Sequence, residues 1–271
     1  MCGVLGVSRS GFYEWLGRAP SQRSQDDQAI LHHVRISHAR SGGCYGVLRI
    51  WPDVIEAGFA VGRERIARVM RSAGIQGHMP KRRRPTDKGS RPEHPLAANV
   101  LDRDFTAEAA NKRWVADFTY VWTREGWLYV ATVLDLFSRR IVGWSMKPHM
   151  TAELVMDALG MAIWRRGKPD ELLHHSDQGS QYTSEPFQRM LADLGITCSL
   201  SRRGECHDNA VMESFYGSMK TEKLHREKYR TREEARAAVF DYIEGFYNPH
   251  RRHSSLGNIS PMAFEQEAQC A

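Results

Sequence analysis

The rhythm of apolar residues changes once along the chain, near residue 112. Before that point apolar positions recur at helical spacing. Ile30, Leu31, Val34 and Ile36 predict a helix over Asp26 to Ala39, followed by a turn at Ser41-Gly42-Gly43. Val47, Leu48, Ile50, Trp51, Val54 and Ile55 predict a second helix, closed by Gly58, in which Pro52 sits early or marks a bend. Ile66, Val69 and Met70 predict a third, from about Gly62 to Ser72. Phe12, Trp15 and Leu16 share one side of a short N-terminal helix that Ser8 or Ser10 would cap. That helix reads equally well as the second half of a helix-turn-helix unit or as a loose amphipathic segment.

After residue 112 the pattern belongs to strands. R-W-V-A-D-F-T-Y-V-W-T alternates and is rich in aromatic and β-branched residues, and Gly126 marks a turn. W-L-Y-V-A-T-V-L-D-L-F is almost continuously apolar, the mark of a buried strand. A turn at Ser138-Arg139-Arg140 and a third strand, I-V-G-W-S-M, follow. Leu154, Val155, Ala158, Leu159 and Ala162 then predict a helix from Thr151, its cap, to Arg165. Short strands over Glu171 to Ser176 and Ile196 to Leu200 enclose a helix from Ser184 to Leu194. Two further helices are predicted over Asp208 to Lys223 and Arg232 to Tyr247. Three successive strands followed by alternating strands and helices predict an α/β domain with a five-stranded mixed sheet flanked by helices, the element order of the ribonuclease H-like fold. A small helical, helix-turn-helix-like domain precedes it. The boundaries expected are a helical region at 1–77, a linker at 78–108, a catalytic core at 109–230, and a C-terminal helix with a basic tail at 231–271.

Composition adds a partner to this picture. The 271 residues are 41% hydrophobic, enough for a packed core, and carry a net charge of +6. From Arg63 to His94 ten Lys and Arg face three Asp and Glu, so the whole excess resides there. Arg63 and Arg68 on the third helix and Lys81, Arg82, Arg83 and Arg84 in the linker suit the neutralisation of backbone phosphates without reading sequence. Arg251 and Arg252, between His250 and His253, read as a second basic element that is solvated or touches DNA. No apolar run reaches the ~18 residues of a spanning helix, and the N-terminus lacks the form of a signal peptide. The five cysteines form no C-x-x-C pair, and neither they nor the nearby histidines have zinc-ligand spacing. The expected setting is the bacterial cytoplasm, in association with the nucleoid.

Three carboxylates stand out. Asp117 interrupts an apolar strand, where a charge must be paired, exposed or bound to a cation. Asp177 follows the fourth strand, and strand ends are where α/β folds gather functional groups. Glu213 lies among apolar and aromatic neighbours of a predicted helix, with thirty-five residues between it and Asp177. Oxygen donors suit Mg²⁺, and two such ions ~3.5–4 Å apart assist in-line phosphoryl displacement. Asp135 is the rival acid, with a structural reading. Asp208 reads as the cap of the Glu213 helix, beside Asn209. Lys220 lies seven residues after Glu213, on the same helix face, and suits a DNA phosphate. Gln178, Gly179 and Ser180 form a turn suited to approach the substrate strand, whereas Tyr182 reads as a packing residue.

The segments W-V-A-D-F-T-Y, H-S-D-Q-G-S-Q-Y and D-N-A-V-M-E-S-F-Y-G-S-M-K resemble the catalytic signature of DDE transposases and retroviral-type integrases. The stretch Y-I-E-G-F-Y-N-P-H-R-R-H-S-S-L-G-N-I-S-P-M-A-F-E, with C-Y-G-V-L-R-I and R-I-A-R-V-M-R-S-A-G-I nearer the start, resembles the second-frame (OrfB) product of insertion-sequence-three-type elements. The resemblance implies that Asp117, Asp177 and Glu213 are catalytic and bind two ions, Mg²⁺ or alternatively Mn²⁺. It implies nicking at element ends, followed by attack of the freed 3′-hydroxyl on a target phosphodiester. It also implies DNA as partner (element ends and target), self-association as a multimer, and an upstream-frame DNA-binding product as partner or fusion. Two other classes fit the residues: a nuclease that cuts without joining, and a non-enzymatic DNA-binding protein.

Overall fold

The computed structural model describes residues 2–78, 97–202 and 205–270. The chain divides into two compact units, residues 1–78 and 79–271. Among the described residues no helix is long and apolar enough to cross a membrane.

The first unit holds four helices: α1 (Arg9–Gly17), α2 (Gln22–Arg40), α3 (Val47–Glu56) and α4 (Arg63–Ser72). Ser8 caps α1, its hydroxyl accepting from the Gly11 N–H at 3.0 Å. No residue of α1 is buried, and Trp15 and Leu16 are exposed. The core of this unit instead lies between α2, α3 and α4, where Ile30, Val34, Ile50, Val54 and Ile66 are fully buried. Burying side chains of this size contributes about 1.5–3 kcal/mol each.

The second unit is built on one sheet of five strands: β1 (Arg113–Thr123), β2 (Gly126–Asp135), β3 (Ile141–Lys147), β4 (Leu173–Ser176) and β5 (Thr197–Leu200). Their spatial order is β3-β2-β1-β4-β5. The first three form an antiparallel meander, while β4 and β5 run parallel to β1. This is the ribonuclease H-like arrangement. The parallel strands β4 and β5 are each reached through a crossover helix, α5 (Ala152–Arg166) before β4 and α6 (Glu185–Asp193) before β5. Thr151 occupies the N-cap position of α5 but makes no side-chain capping bond, which corrects the capping role read from the sequence.

Alternation along β1 sends Trp114 and Ala116 to one face and Val115 and Val121 to the other. The first face is covered by α5 and α6 through Leu154, Leu159, Phe187 and Leu191. Gly143 permits this closeness, since a Cβ there would stand 2.2 Å from the Ala158 carbonyl oxygen. The second face is covered by α7 (Ala210–Glu222) and α8 (Arg232–Phe240) through Met212, Phe215, Met219, Ala235 and Val239. Helix α8 continues through a π-helical stretch, Asp241–Tyr247, into the single turn α9 (Asn248–His250). A last helix, α10 (Pro261–Cys270), was not anticipated from the sequence. Its Glu265 is buried and accepts from Ser138 at 2.7 Å and Arg140 at 2.6 Å, with Arg166 as a third partner.

One asymmetry of the sheet positions the site. β1 has eleven residues, but β4 pairs only with Arg113, Trp114 and Val115. Among the described residues the flank of β1 beyond Val115 therefore has no neighbouring strand until a single bridge joins Thr123 to Tyr229.

Candidate active site

Val115 and His175 are register partners in the parallel β1–β4 pair. Asp117 and Asp177 each come two residues later, so the two carboxylates leave neighbouring chain segments at the same level. Parallel strands lie ~4.8 Å apart, which places the two acids side by side where β4 ends and the open flank of β1 begins. Glu213 stands in the first turn of α7. That helix is stitched to β1 on both sides of Glu213. The Asn209 amide donates to the Ala116 carbonyl at 3.1 Å, and the Tyr216 hydroxyl donates to the Asp117 carbonyl at 2.6 Å.

The loop after β4 closes on its own acid. The Gly179 N–H donates to Asp177 Oδ1 at 2.9 Å, and a Cβ at 179 would meet that same oxygen at 2.9 Å. The Gln178 side chain is buried, its amide donating to the Ser201 carbonyl at 2.8 Å. Gln178 thus braces the loop from within, a correction to its expected approach to substrate. His175, also buried, lies 2.9 Å from Ser199 Oγ and 3.1 Å from Ser201 Oγ, tying β4 to the end of β5.

The electrostatics distinguish Asp117. Burial raises its carboxyl well above the usual carboxylate range, and the charges of Asp177 and Glu213 push it further. The Phe118 N–H, 2.7 Å from Asp117 Oδ1, and the Lys220 ammonium act in the opposite direction. Glu213 is open to solvent, and partial desolvation by its neighbours raises its carboxyl, against a lowering by His207. Lys220 is depressed by burial and supported by Asp117, and its Nζ lies 5.3 Å from the centroid of the Tyr120 ring. The three sequence-predicted acids and Lys220 thus belong to one electrostatic neighbourhood. The donors are all carboxylate oxygens, and their mutual repulsion is what a hard divalent cation would relieve. Among the described residues no three His, Cys, Asp or Glu side chains are grouped to hold a metal ion as they stand.

Other residues named from the sequence have different places. Asp135 is buried at the end of β2 and accepts from the Asn111 and Phe137 N–H groups at 2.7 and 2.9 Å, a structural role. Tyr182 is buried against Phe187 and His174. Asp208 does not cap α7, because it is fully buried and grips Arg202 and Arg103 at 2.8 and 2.7 Å. Arg251 and Arg252 form no open basic tail. Arg251 is 4% exposed and makes a two-pronged pair with Glu222, Nε at 2.8 Å and Nη2 at 2.7 Å, while Arg252 is buried and donates to the Asn258 carbonyl at 2.6 Å. In the first unit Arg68 is paired with Asp27 at 2.7 Å and the Arg63 guanidinium lies 4.7 Å from the Trp51 ring centroid. Lys81, Arg82, Arg83 and Arg84 lie outside the described residues.

Sequence reasoning missed Tyr216 and Asn209 as supports of the acids. Their signal was at hand, since they flank Glu213 at +3 and −4 on the same helix side.

Comparison with known proteins fits this architecture. Integrase core domain models match residues 107–206 and 194–261, and an HTH-like domain model matches residues 25–83. The 31 kDa protein of insertion element IS600 from Shigella sonnei is 42% identical over 267 residues, 98% of each chain. Transposase InsF of insertion sequence IS3A from Escherichia coli (strain K12) is 41% identical over 269 residues, covering 98% of this chain and 93% of InsF. Among solved structures, the catalytic core domain of BIV integrase aligns with a TM-score of 0.44 at 20% identity, over 59% of this chain and 97% of that domain. A five-stranded mixed sheet matched by integrase core domain models, with a helix-turn-helix-like region earlier in the chain, defines a polynucleotidyl transferase with an integrase core. The chain belongs to the transposase family of IS3-type insertion sequences. The integrase core and HTH-like domains together imply DNA binding.

Proposed function

We propose that Asp117, Asp177 and Glu213 are the catalytic carboxylates of this transposase, holding divalent metal for nicking at the element ends and for strand transfer. The observation that carries the reading is the state of Asp117, whose carboxyl is raised by burial and by the two other acids. A cluster that repels itself gains most from a cation. Mg²⁺ or Mn²⁺, two ions per site, would supply Lewis acidity at the attacking and leaving oxygens of an in-line displacement. Asp117 and Asp177 offer rigid donors, one within a strand and one in a loop closed by Gly179. Glu213 is exposed, and its longer side chain has the rotamer freedom to turn toward them. Lys220, beside Asp117, suits a phosphate of the bound strand.

Two displacements follow. Water attacks the phosphodiester at the element end and gives up a proton to solvent as the P–O3′ bond breaks; the departing oxygen takes up a proton from solvent, leaving a 3′-hydroxyl and a 5′-phosphate. That hydroxyl then attacks a target phosphodiester, forming one bond as the target's own 3′-oxygen departs. Since two ends must be joined to one target, the active form is a multimer, with an upstream-frame DNA-binding product as partner or fusion. Lys81 to Arg84, with Arg63 and Arg68, add sequence-independent phosphate contacts.

Purified chain incubated with labelled element-end DNA and Mg²⁺ should yield strand-transfer products that Glu213→Gln abolishes. Cleavage without joining would replace this reading with that of a nuclease. Binding without chemistry, even with the upstream product added, would leave a DNA-binding protein only.

A further inference from the structure

Next to the carboxylates lies a groove of 1020 Å³, at the top of the ~300–1,000 Å³ that houses drug-sized ligands. Its floor and rim come from the β1–β2 hairpin and the end of α7. Tyr120, Trp122 and Trp127 line it, and they are 53%, 59% and 42% exposed. Three large aromatic rings open to solvent in one patch are unusual unless something covers them. They also form a connected platform, with Trp127 meeting Tyr120 at 4.9 Å and Trp122 at 4.7 Å between centroids, both edge to face.

The charges of the groove select its occupant. Lys220, Arg124 and Lys228 line it, and among the described residues none of the three has an ion-pair partner. The single acid of the lining, Glu227, is engaged by Lys223 at 3.6 Å. Cations without an ion-pair partner beside open aromatic faces are the combination that binds single-stranded nucleic acid, with the backbone following the cations and the bases stacking on the rings. A base inside a duplex is already stacked on its neighbours and cannot use those faces. Lys220 belongs both to this groove and to the surroundings of Asp117, so a strand lying in one continues into the other.

We propose that this groove holds unpaired nucleotides of the DNA substrate, those continuing past the reacting phosphate. The proposal rests on the catalytic reading above for the path of the strand, but its test does not require chemistry. Binding of the full chain is measured without divalent metal, by anisotropy of a labelled blunt duplex and of the same duplex with a short thymidine tail. The tail is expected to tighten binding about tenfold and to quench tryptophan emission. Trp122→Ala should remove that gain and leave blunt-duplex binding unchanged. Trp122→Tyr, which keeps a stacking face, should retain most of it. Arg124→Ala with Lys228→Ala should lower the salt slope for the tailed duplex by about two. Trp164→Ala, on the exposed surface of α5, should change nothing. Equal affinity for the two duplexes, or equal loss on both with Trp122→Ala, overturns the proposal. A chain that prefers the tailed duplex yet joins no DNA keeps the groove and overturns the catalytic reading alone.

Discussion

The hydroxyl of Tyr216 on α7 donates to the main-chain carbonyl of Asp117 at 2.6 Å. The same hydroxyl lies 2.9 Å from Thr132 Oγ1 and 3.4 Å from the Val130 carbonyl. It has one proton to give, and the distances assign that proton to Asp117, with Thr132 as donor in return. The helix carrying one acid is thereby fixed to the strand carrying another.

Tyr216→Phe keeps the ring in the core and removes the hydroxyl's bonds to the Asp117 carbonyl and to buried Thr132. Stability should fall by about 1–3 kcal/mol, since a buried hydroxyl and a carbonyl both lose a partner. Strand transfer should fall more, by roughly tenfold, because small misplacements of catalytic groups are costly. Thermal melting and initial rates measured on the same preparation check this, and a rate loss no larger than the stability loss predicts would refute it.

Asp117 contributes a stability effect of definite sign. Its folded carboxyl is raised, so ionisation is penalised in the fold, and metal-free protein loses stability as pH rises from the ordinary carboxylate range toward the folded value. At neutral pH, Mg²⁺ should raise the melting temperature and EDTA should reverse this. Asp117→Asn should melt higher than the parent without metal and lose most of the response to Mg²⁺. An unchanged Mg²⁺ response in the variant would remove Asp117 from the metal site.

Arg251 tests whether the C-terminal segment serves DNA or the fold. Its pair with Glu222 is buried, and the Tyr242 hydroxyl donates to the same carboxylate at 2.8 Å. Arg251→Ala leaves a buried carboxylate without its counter-charge and should cost about 3–5 kcal/mol. Arg251→Lys should restore little, since an ammonium cannot reproduce the fork. A folded Arg251→Ala protein with weakened DNA binding would instead favour the DNA role.

Asp208 has the opposite linkage. The Arg202 guanidinium, then the Arg202 N–H and Arg103, hold its carboxyl far below its ordinary value against the cost of burial. Its contribution is complete above the unfolded value near 3.8 and is lost as pH falls toward the folded one. Denaturant titrations between about pH 5 and pH 2 should therefore show a decline in stability that Asp208→Asn flattens. The variant should be weaker by about 1–3 kcal/mol at neutral pH.

Much of this architecture is legible in the chain because it follows local periodicity. The alternation of β1, the apolar run of β2 and the helical stripe of α5 each name their element without reference to the rest. The acids are legible because Asp117 breaks an apolar strand and Asp177 ends another. What escaped reading depends on partners distant in sequence. Arg251 looks like a surface cation until Glu222, twenty-nine residues earlier, is seen against it. Asp208 looks like a cap because its partner Arg103 lies 105 residues away. Trp122 and Trp127 read as ordinary strand residues, since alternation cannot tell that among the described residues no helix covers their rings.

The mismatch between long β1 and short β4 has a further consequence, for the lifetime of the protein. An exposed strand flank is a template on which other chains can add, and so a seed for aggregation. Here the Ala116 carbonyl, which faces that flank, accepts from the Asn209 amide at 3.1 Å. The residue that leads into the helix of Glu213 thus also occupies one acceptor of that flank. Fraying at the start of α7 would therefore shift Glu213 and release an acceptor of the strand edge in the same event.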